Sequence, residues 1–131
     1  MKIKCVITDD EPIARKGLRG YIEKTDFLTL TGECENALQL NELLKKEQPE
    51  LLFMDIEMPY INGIDFLSGI HNPPKVIITS AYEQYALKGY ELNVTDYLLK
   101  PIPFDRFLKA VTECMNCYRK SKNPLPSLTS S

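Results

Sequence analysis

The sequence has no apolar stretch near the roughly 20 residues that a membrane-crossing helix needs, and Met1-Lys2-Ile3-Lys4 runs into a strand pattern instead of a signal-peptide hydrophobic region. Both absences point to an intracellular, cytoplasmic chain. An excess of either charge is missing too. Lys and Arg total 16 against 18 for Asp and Glu, a formal net charge of -2. That balance gives no reason to expect a nucleic-acid surface and favours protein partners or small ions. Histidine is nearly absent, with His71 alone in a loop. Cys114 and Cys117, spaced i, i+3, therefore lack the four-ligand set that zinc normally takes. With Cys5 and Cys34 they read as reduced thiols, as expected in the cytosol. At 131 residues and with no internal repeat, the chain has room for one ordinary domain core and none for a second large domain.

What is present is an alternation of short apolar runs with helical patterns, which is how a parallel sheet with crossover helices reads. Strands are expected at residues 3–8, 28–32, 51–54, 76–79 and 94–98. Ala14, Leu18, Tyr21 and Ile22 share one helical face, as do Ala37, Leu40 and Leu44. Phe104, Phe107, Leu108, Val111, Met115 and Tyr118 keep helical spacing over several turns. Pro12 suits the first turn of a helix, where its missing N–H is tolerated. Pro49 and the pair Pro73-Pro74 break the chain ahead of strands. Five strand and helix pairs make a doubly wound α/β fold. Periodicity fades after residue 118, so residues 1–118 are expected to form the domain and 119–131 a linker or tail toward another module.

In an open parallel sheet, ligands bind beyond the carboxyl ends of the strands, near the point where strand order reverses. Here the first strand ends in Asp9-Asp10, the third in Asp55, the fourth in Ser80 and the fifth in Lys100 just before Pro101. Three acids at one sheet edge repel one another unless a divalent cation or a bound proton relieves them. Magnesium, a hard cation that binds oxygen, suits them. A carboxylate oxygen can also attack phosphorus and form an acyl phosphate. Lys100 and the metal would then offset phosphoryl charge, and Ser80 would donate a hydrogen bond to it. Any one of these residues has a bland explanation: an Asp after a strand commonly caps a helix, and a lone Lys is a surface charge. Their joint placement favours function.

The stretches Thr8-Asp9-Asp10-Glu11-Pro12, Asp55-Ile56-Glu57-Met58-Pro59 with Asn62-Gly63, Thr79-Ser80-Ala81 and Lys100-Pro101 closely resemble the response-regulator receiver domain of two-component signalling, over about residues 2 to 118. The resemblance implies a flavodoxin-like (βα)5 fold with the parallel strands in order 2-1-3-4-5 and helices on both faces. It implies Asp55 as phosphoacceptor, Asp10 as a direct and Asp9 as a water-mediated Mg²⁺ ligand, and the Glu57 carbonyl as a further ligand. Ser80 and Lys100 would bind the phosphoryl group, and the Lys100–Pro101 peptide bond would be cis. The segment from Thr79 to Tyr90, continuing through Asp96-Tyr97-Leu98-Leu99-Lys100-Pro101, is similar to receivers that precede LytTR-type DNA-binding domains. DNA contact would then belong to an output domain outside these residues, not to this domain.

The same resemblance implies a sensor histidine kinase as partner, with small phosphodonors able to replace it, and autodephosphorylation rather than enzymatic turnover. Ser80 would move toward the new phosphoryl oxygens and Tyr97 would swing into the vacated space. The face made by the fourth helix, fifth strand and fifth helix would change, and a homodimer through it is expected. Tyr82, Tyr85, Leu87 and Tyr90 are its candidate surface residues. Glu57 and Tyr82, each two residues past a site residue, would tune the water that hydrolyses the acyl phosphate. Two rivals share parts of the pattern. A haloacid-dehalogenase-type aspartyl phosphatase wants carboxylates after its lysine, where this chain has Pro101-Ile102-Pro103; a flavodoxin-like flavin carrier would have its phosphate repelled by Asp9-Asp10-Glu11. A stand-alone receiver acting through protein contacts is the other alternative.

Overall fold

The run Leu51-Leu52-Phe53-Met54 has no polar side chain to turn toward water, and it is buried along its whole length as the central strand β3 (Leu51–Asp55). Strands of this kind belong to parallel sheets covered on both faces. The computed structural model describes residues 2–86 and 91–122. β3 is joined by β1 (Ile3–Thr8), β2 (Leu28–Cys34), β4 (Lys75–Ser80) and β5 (Asp96–Leu99) in a five-stranded parallel sheet of order β2-β1-β3-β4-β5. The chain leaves β1 toward one edge and returns to β3 on the other side, so strand order reverses between these two neighbours. Register brings their carboxyl ends level: Thr8 pairs with Met54, Asp55 with Thr79 and Ser80 with Leu99.

Alternate residues of each strand feed two separate cores. Ile3, Cys5, Ile7, Phe53, Ile77 and Leu98 pack on α1 (Pro12–Glu23) and on the C-terminal helix (Phe104–Lys122), with Phe53 and Phe107 stacked at 5.4 Å. Val6, Leu52, Met54, Val76 and Ile78 pack on the other face against α2 (Ala37–Lys46) and α3 (Gly63–Gly69). Asn36 and Asn62 cap α2 and α3, each accepting at 2.9 Å from a backbone N–H three residues on. The Tyr21 hydroxyl donates to the Ile102 carbonyl at 2.7 Å, and Arg106 donates to both Asp96 oxygens at 3.0 and 2.7 Å. These contacts tie α1 and the C-terminal helix to the chain around β5.

The elements depart from the sequence expectation in a few places. β5 begins at Asp96 instead of residue 94, and β2 runs on to Cys34. Leu108 is 37% exposed although its spacing places it on the apolar stripe of the last helix. The buried stripe there follows Phe107, Ala110, Val111, Cys114 and Met115, which leaves Leu108 on the flank. That helix continues to Lys122, past Tyr118, and residues 123–131 of the expected tail lie outside the described residues. Where a fourth helix is expected, Glu83–Tyr85 form one 3-10 turn and Ala86 and Glu91 are helical; Leu87 and Tyr90, and the side chain of Tyr85, lie outside the described residues. All four cysteines are free. Burial pushes the Cys5 thiol up to about 12 and the Cys114 thiol to about 11, which suppresses their reactive thiolates. Among the described residues no helix is long and apolar enough to cross a membrane.

Gly63 is the tightest backbone approach near the sheet edge. Its N–H donates to the Ile56 carbonyl at 2.7 Å, and a Cβ there would lie 2.7 Å from the Asp55 carbonyl oxygen and 3.1 Å from Ile56 Cα. Backbone atoms cannot swing aside as a side-chain tip can. Gly63→Ala is therefore expected to cost about 1–3 kcal/mol in urea unfolding. Gly32→Ala, whose Cβ would meet only the flexible tip of Leu43 at 2.7 Å, should cost less. A Gly63→Ala protein unfolding at the parent's urea midpoint would refute the close-approach argument.

Candidate functional site

Because β1 and β3 are neighbours, the acids that follow or end them meet at the carboxyl edge of the sheet. Asp9, Asp10 and Asp55 each place a carboxylate oxygen within 4.8 Å of the others. Asp9 is fully buried, Asp55 is 5% exposed, and Asp10 faces solvent. Both Asp9 oxygens are engaged: Oδ1 accepts from the Glu11 N–H at 2.9 Å and Oδ2 from Lys100 Nζ at 2.8 Å. The same ammonium lies 3.5 Å from Asp55 Oδ1 and 3.7 Å from Glu11 Oε1. One cation thus serves several carboxylates, and neutralisation is incomplete.

The titration of the site follows from that imbalance. Burial, then the charge of Asp9, pushes the Asp55 carboxyl up to about 6, with Lys100 partly opposing them. Burial draws the Lys100 ammonium down, but the hydrogen bond to Asp9 and the charges of Asp55, Asp9 and Glu11 outweigh it, so its proton is held more firmly than in an ordinary lysine. A hard divalent cation matches this donor set: oxygen ligands, surplus negative charge, and a solvent-facing carboxylate on Asp10 that needs no further uncovering.

β4 and β5 deliver the remaining residues. Ser80 is buried; its Oγ accepts from the Tyr82 N–H at 3.0 Å, and its carbonyl accepts from the Lys100 N–H at 2.7 Å. The Lys100–Pro101 peptide bond is cis. Tyr97 is half-buried against the α2 and α3 core, and its hydroxyl donates to the Tyr82 carbonyl. Glu57 and Tyr82 are exposed, and with Asp10, Glu11, Asp55, Ala81 and Lys100 they line a pocket of about 310 Å³. Every residue singled out from the strand ends is therefore at one edge, though Ser80 lies beneath the surface with its hydroxyl engaged by backbone.

One contact was not read from the sequence. Arg15 donates from Nη1 to the Asp9 carbonyl at 2.8 Å. The available signal was spacing: Arg15 lies one helical turn beyond Glu11, and side chains on a helix lean toward its N-terminus.

The family model described as "Response regulator receiver domain" matches residues 5–112. The transcriptional regulatory protein BtsR of Salmonella typhi is 39% identical over 112 residues, which cover 83% of this chain and 46% of BtsR. The chain thus spans about half the length of the curated relatives it matches. The REC domain of AraT, a response regulator from Geobacillus stearothermophilus, has a TM-score of 0.85 at 27% identity, covering 94% of this chain and 100% of that one. The response regulatory domain of mrkE from Klebsiella pneumoniae has a TM-score of 0.83 at 22% identity, over 90% of this chain and 99% of that one, a likeness of fold alone.

A carboxyl raised from 3.8 to about 6 in the folded chain binds its proton more tightly there than in the unfolded chain. Its contribution to stability is therefore full below the unfolded value and is lost as pH rises through the folded one. The loss amounts to at most about 3 kcal/mol. Without divalent cations, Asp55→Asn should be more stable than the parent near pH 7.5, with the advantage shrinking toward pH 4. Denaturant midpoints that differ equally at both pH values would contradict the raised Asp55 carboxyl.

Proposed function

Because this chain belongs to the response-regulator receiver family, we propose that Asp55 accepts a phosphoryl group from the phosphohistidine of a sensor histidine kinase. The observation that carries this reading is the convergence on Asp55 of an ammonium at 3.5 Å and two further carboxylates within 4.8 Å, at the mouth of a solvent-open pocket. Receiver domains are signalling domains and not classical enzymes. In the transfer, the donor's N–P bond breaks as an Asp55 carboxylate oxygen bonds to phosphorus. A carboxyl that ionises at about 6 is largely ionised at neutral pH and so holds a free electron pair for the attack. Small phosphodonors can replace the kinase, because the groups that position the phosphoryl belong to this chain.

Asp10, Asp55 and the Glu57 carbonyl would hold Mg²⁺, with Asp9 acting through water, in keeping with the engagement of both its oxygens by Glu11 and Lys100. When bound, that cation supplies screening of the negative charges brought together in the transfer. Lys100 turns toward the phosphoryl oxygens, and Ser80 donates its hydroxyl proton to one of them. Movement of Ser80 toward those oxygens draws its Oγ, an acceptor here, away from the Tyr82 N–H, which loosens the loop whose carbonyl holds the Tyr97 hydroxyl. Tyr97 then moves inward, and the face built from the fourth-helix segment, β5 and the C-terminal helix changes. The phosphoryl group acts because it binds one arrangement better than the other.

That face governs a homodimer and the output. In this reading residues 1–118 are the receiver, 119–131 link it to a LytTR-type DNA-binding domain outside this chain, and the whole regulates transcription in the cytoplasm. The support is that BtsR, a similar protein, is named as a transcriptional regulator.

Intact mass after incubation with acetyl phosphate and Mg²⁺ tests the phosphoacceptor: the parent should gain one phosphoryl group and Asp55→Asn none. An equal gain in both proteins would sink the Asp55 assignment. For the pocket rim, replacing Glu57 and Tyr82 together should change the lifetime of the phosphorylated state several-fold while leaving the final stoichiometry near that of the parent. Indistinguishable dephosphorylation rates would remove both residues from that role.

A further inference from the structure

Arg15, in the second turn of α1, is 14% exposed and contacts two acidic elements at once. Nη1 donates to the Asp9 carbonyl at 2.8 Å, and Nε lies 3.5 Å from Glu33 Oε1 at the end of β2. Glu33 is in register with Ile7 of β1 and so faces the α1 layer. One turn further along the helix, Arg19 holds the same carboxylate as a fork, at 2.6 and 2.9 Å. Those hydrogen bonds keep the Glu33 carboxyl below its usual range despite its partial burial, so it stays ionised as an anchor.

The Asp9 carbonyl and the Asp10 N–H belong to one rigid, planar peptide. The N–H of Asp9 is already fixed by the Cys34 carbonyl at 3.0 Å, and its carboxylate by Glu11 and Lys100. The Asp9–Asp10 plane is the remaining freedom in this turn, and it sets the direction in which the Asp10 side chain leaves the backbone. Among the described residues, no hydrogen bond or ion pair aims Asp10, the solvent-facing member of the acidic cluster, in another direction.

We propose that Arg15 is a positioning residue for the acidic cluster: anchored on Glu33, its guanidinium fixes the Asp9–Asp10 peptide plane and thereby aims the Asp10 carboxylate at the cation site. This rests on the reading of Asp9, Asp10 and Asp55 as an Mg²⁺ site. Arg19 shares the anchor without touching the Asp9 carbonyl, so the two arginines separate aiming the acidic turn from fastening α1 to β2.

The test is Mg²⁺ binding by titration calorimetry on the unphosphorylated chain, with cation-free urea unfolding alongside. Arg15→Met, which keeps most of the stem, should weaken Mg²⁺ binding about tenfold, the lower range for losing a group that orients a metal ligand. Arg15→Lys, which can still donate to the carbonyl, should recover most of that loss. Arg19→Met should leave Mg²⁺ affinity within about twofold, even if it lowers stability as much as Arg15→Met does. Equal weakening by Arg15→Met and Arg19→Met, or no weakening by Arg15→Met, overturns the positioning role while leaving the Mg²⁺ site standing. A parent that binds no Mg²⁺ overturns the site reading, and the positioning role with it.

Discussion

Repulsion among Asp9, Asp10 and Asp55 is the constraint around which this edge of the sheet is organised. Two like charges about 4 Å apart repel by about 4 kcal/mol at an effective dielectric of about 20, and burial of Asp9 and Asp55 removes the water that would soften it. A fold spends stability to hold such a cluster, and Lys100 offsets only part of the cost. The unspent imbalance gives the site its chemistry: a carboxyl that titrates far above an ordinary aspartate, and a standing attraction for cations.

Holding the cluster together takes contributions from distant parts of the chain. The register of β1, β3 and β4 sets the heights of Asp9, Asp55 and Ser80, and the buried alternation of two cores keeps that register from slipping, since a one-residue shift would turn every apolar side chain to the wrong face. Gly63 lets α3 begin against the Asp55 backbone. The Ser80 carbonyl ties β4 to the Lys100 backbone, and the Lys100 side chain crosses to Asp9 on β1. From the other side, Arg15 reaches the Asp9 carbonyl. Local rearrangement at this edge has a ready route outward, because the loop that engages Ser80 through the Tyr82 N–H also holds the Tyr97 hydroxyl through the Tyr82 carbonyl.

The sequence was legible where a physical signal is local or periodic. Short apolar runs bounded by turn residues located all five strands, with boundaries shifted by one or two residues at β2, β3, β4 and β5. Proline marked a helix start at Pro12, whereas the capping roles of Asn36 and Asn62 emerged only with the structure. Helical spacing misjudged Leu108, because spacing gives a face but not how wide a strip of it the sheet covers. The strand-end rule collected Asp9, Asp10, Asp55, Ser80 and Lys100 without any knowledge of distance. It was silent on Arg15, which lies inside a helix and acts through a backbone carbonyl.

Sequence alone therefore determined the order of the five strands along the chain, the parallel sheet and the set of side chains gathered at the strand ends, since these follow from hydrophobic period and from which residues end the strands. Tertiary structure alone decided which acids are buried, which oxygen Lys100 holds, and that the Ser80 Oγ accepts from the Tyr82 N–H. Those depend on crossing distances between segments remote in the chain, set by packing of two cores and not written in any local pattern.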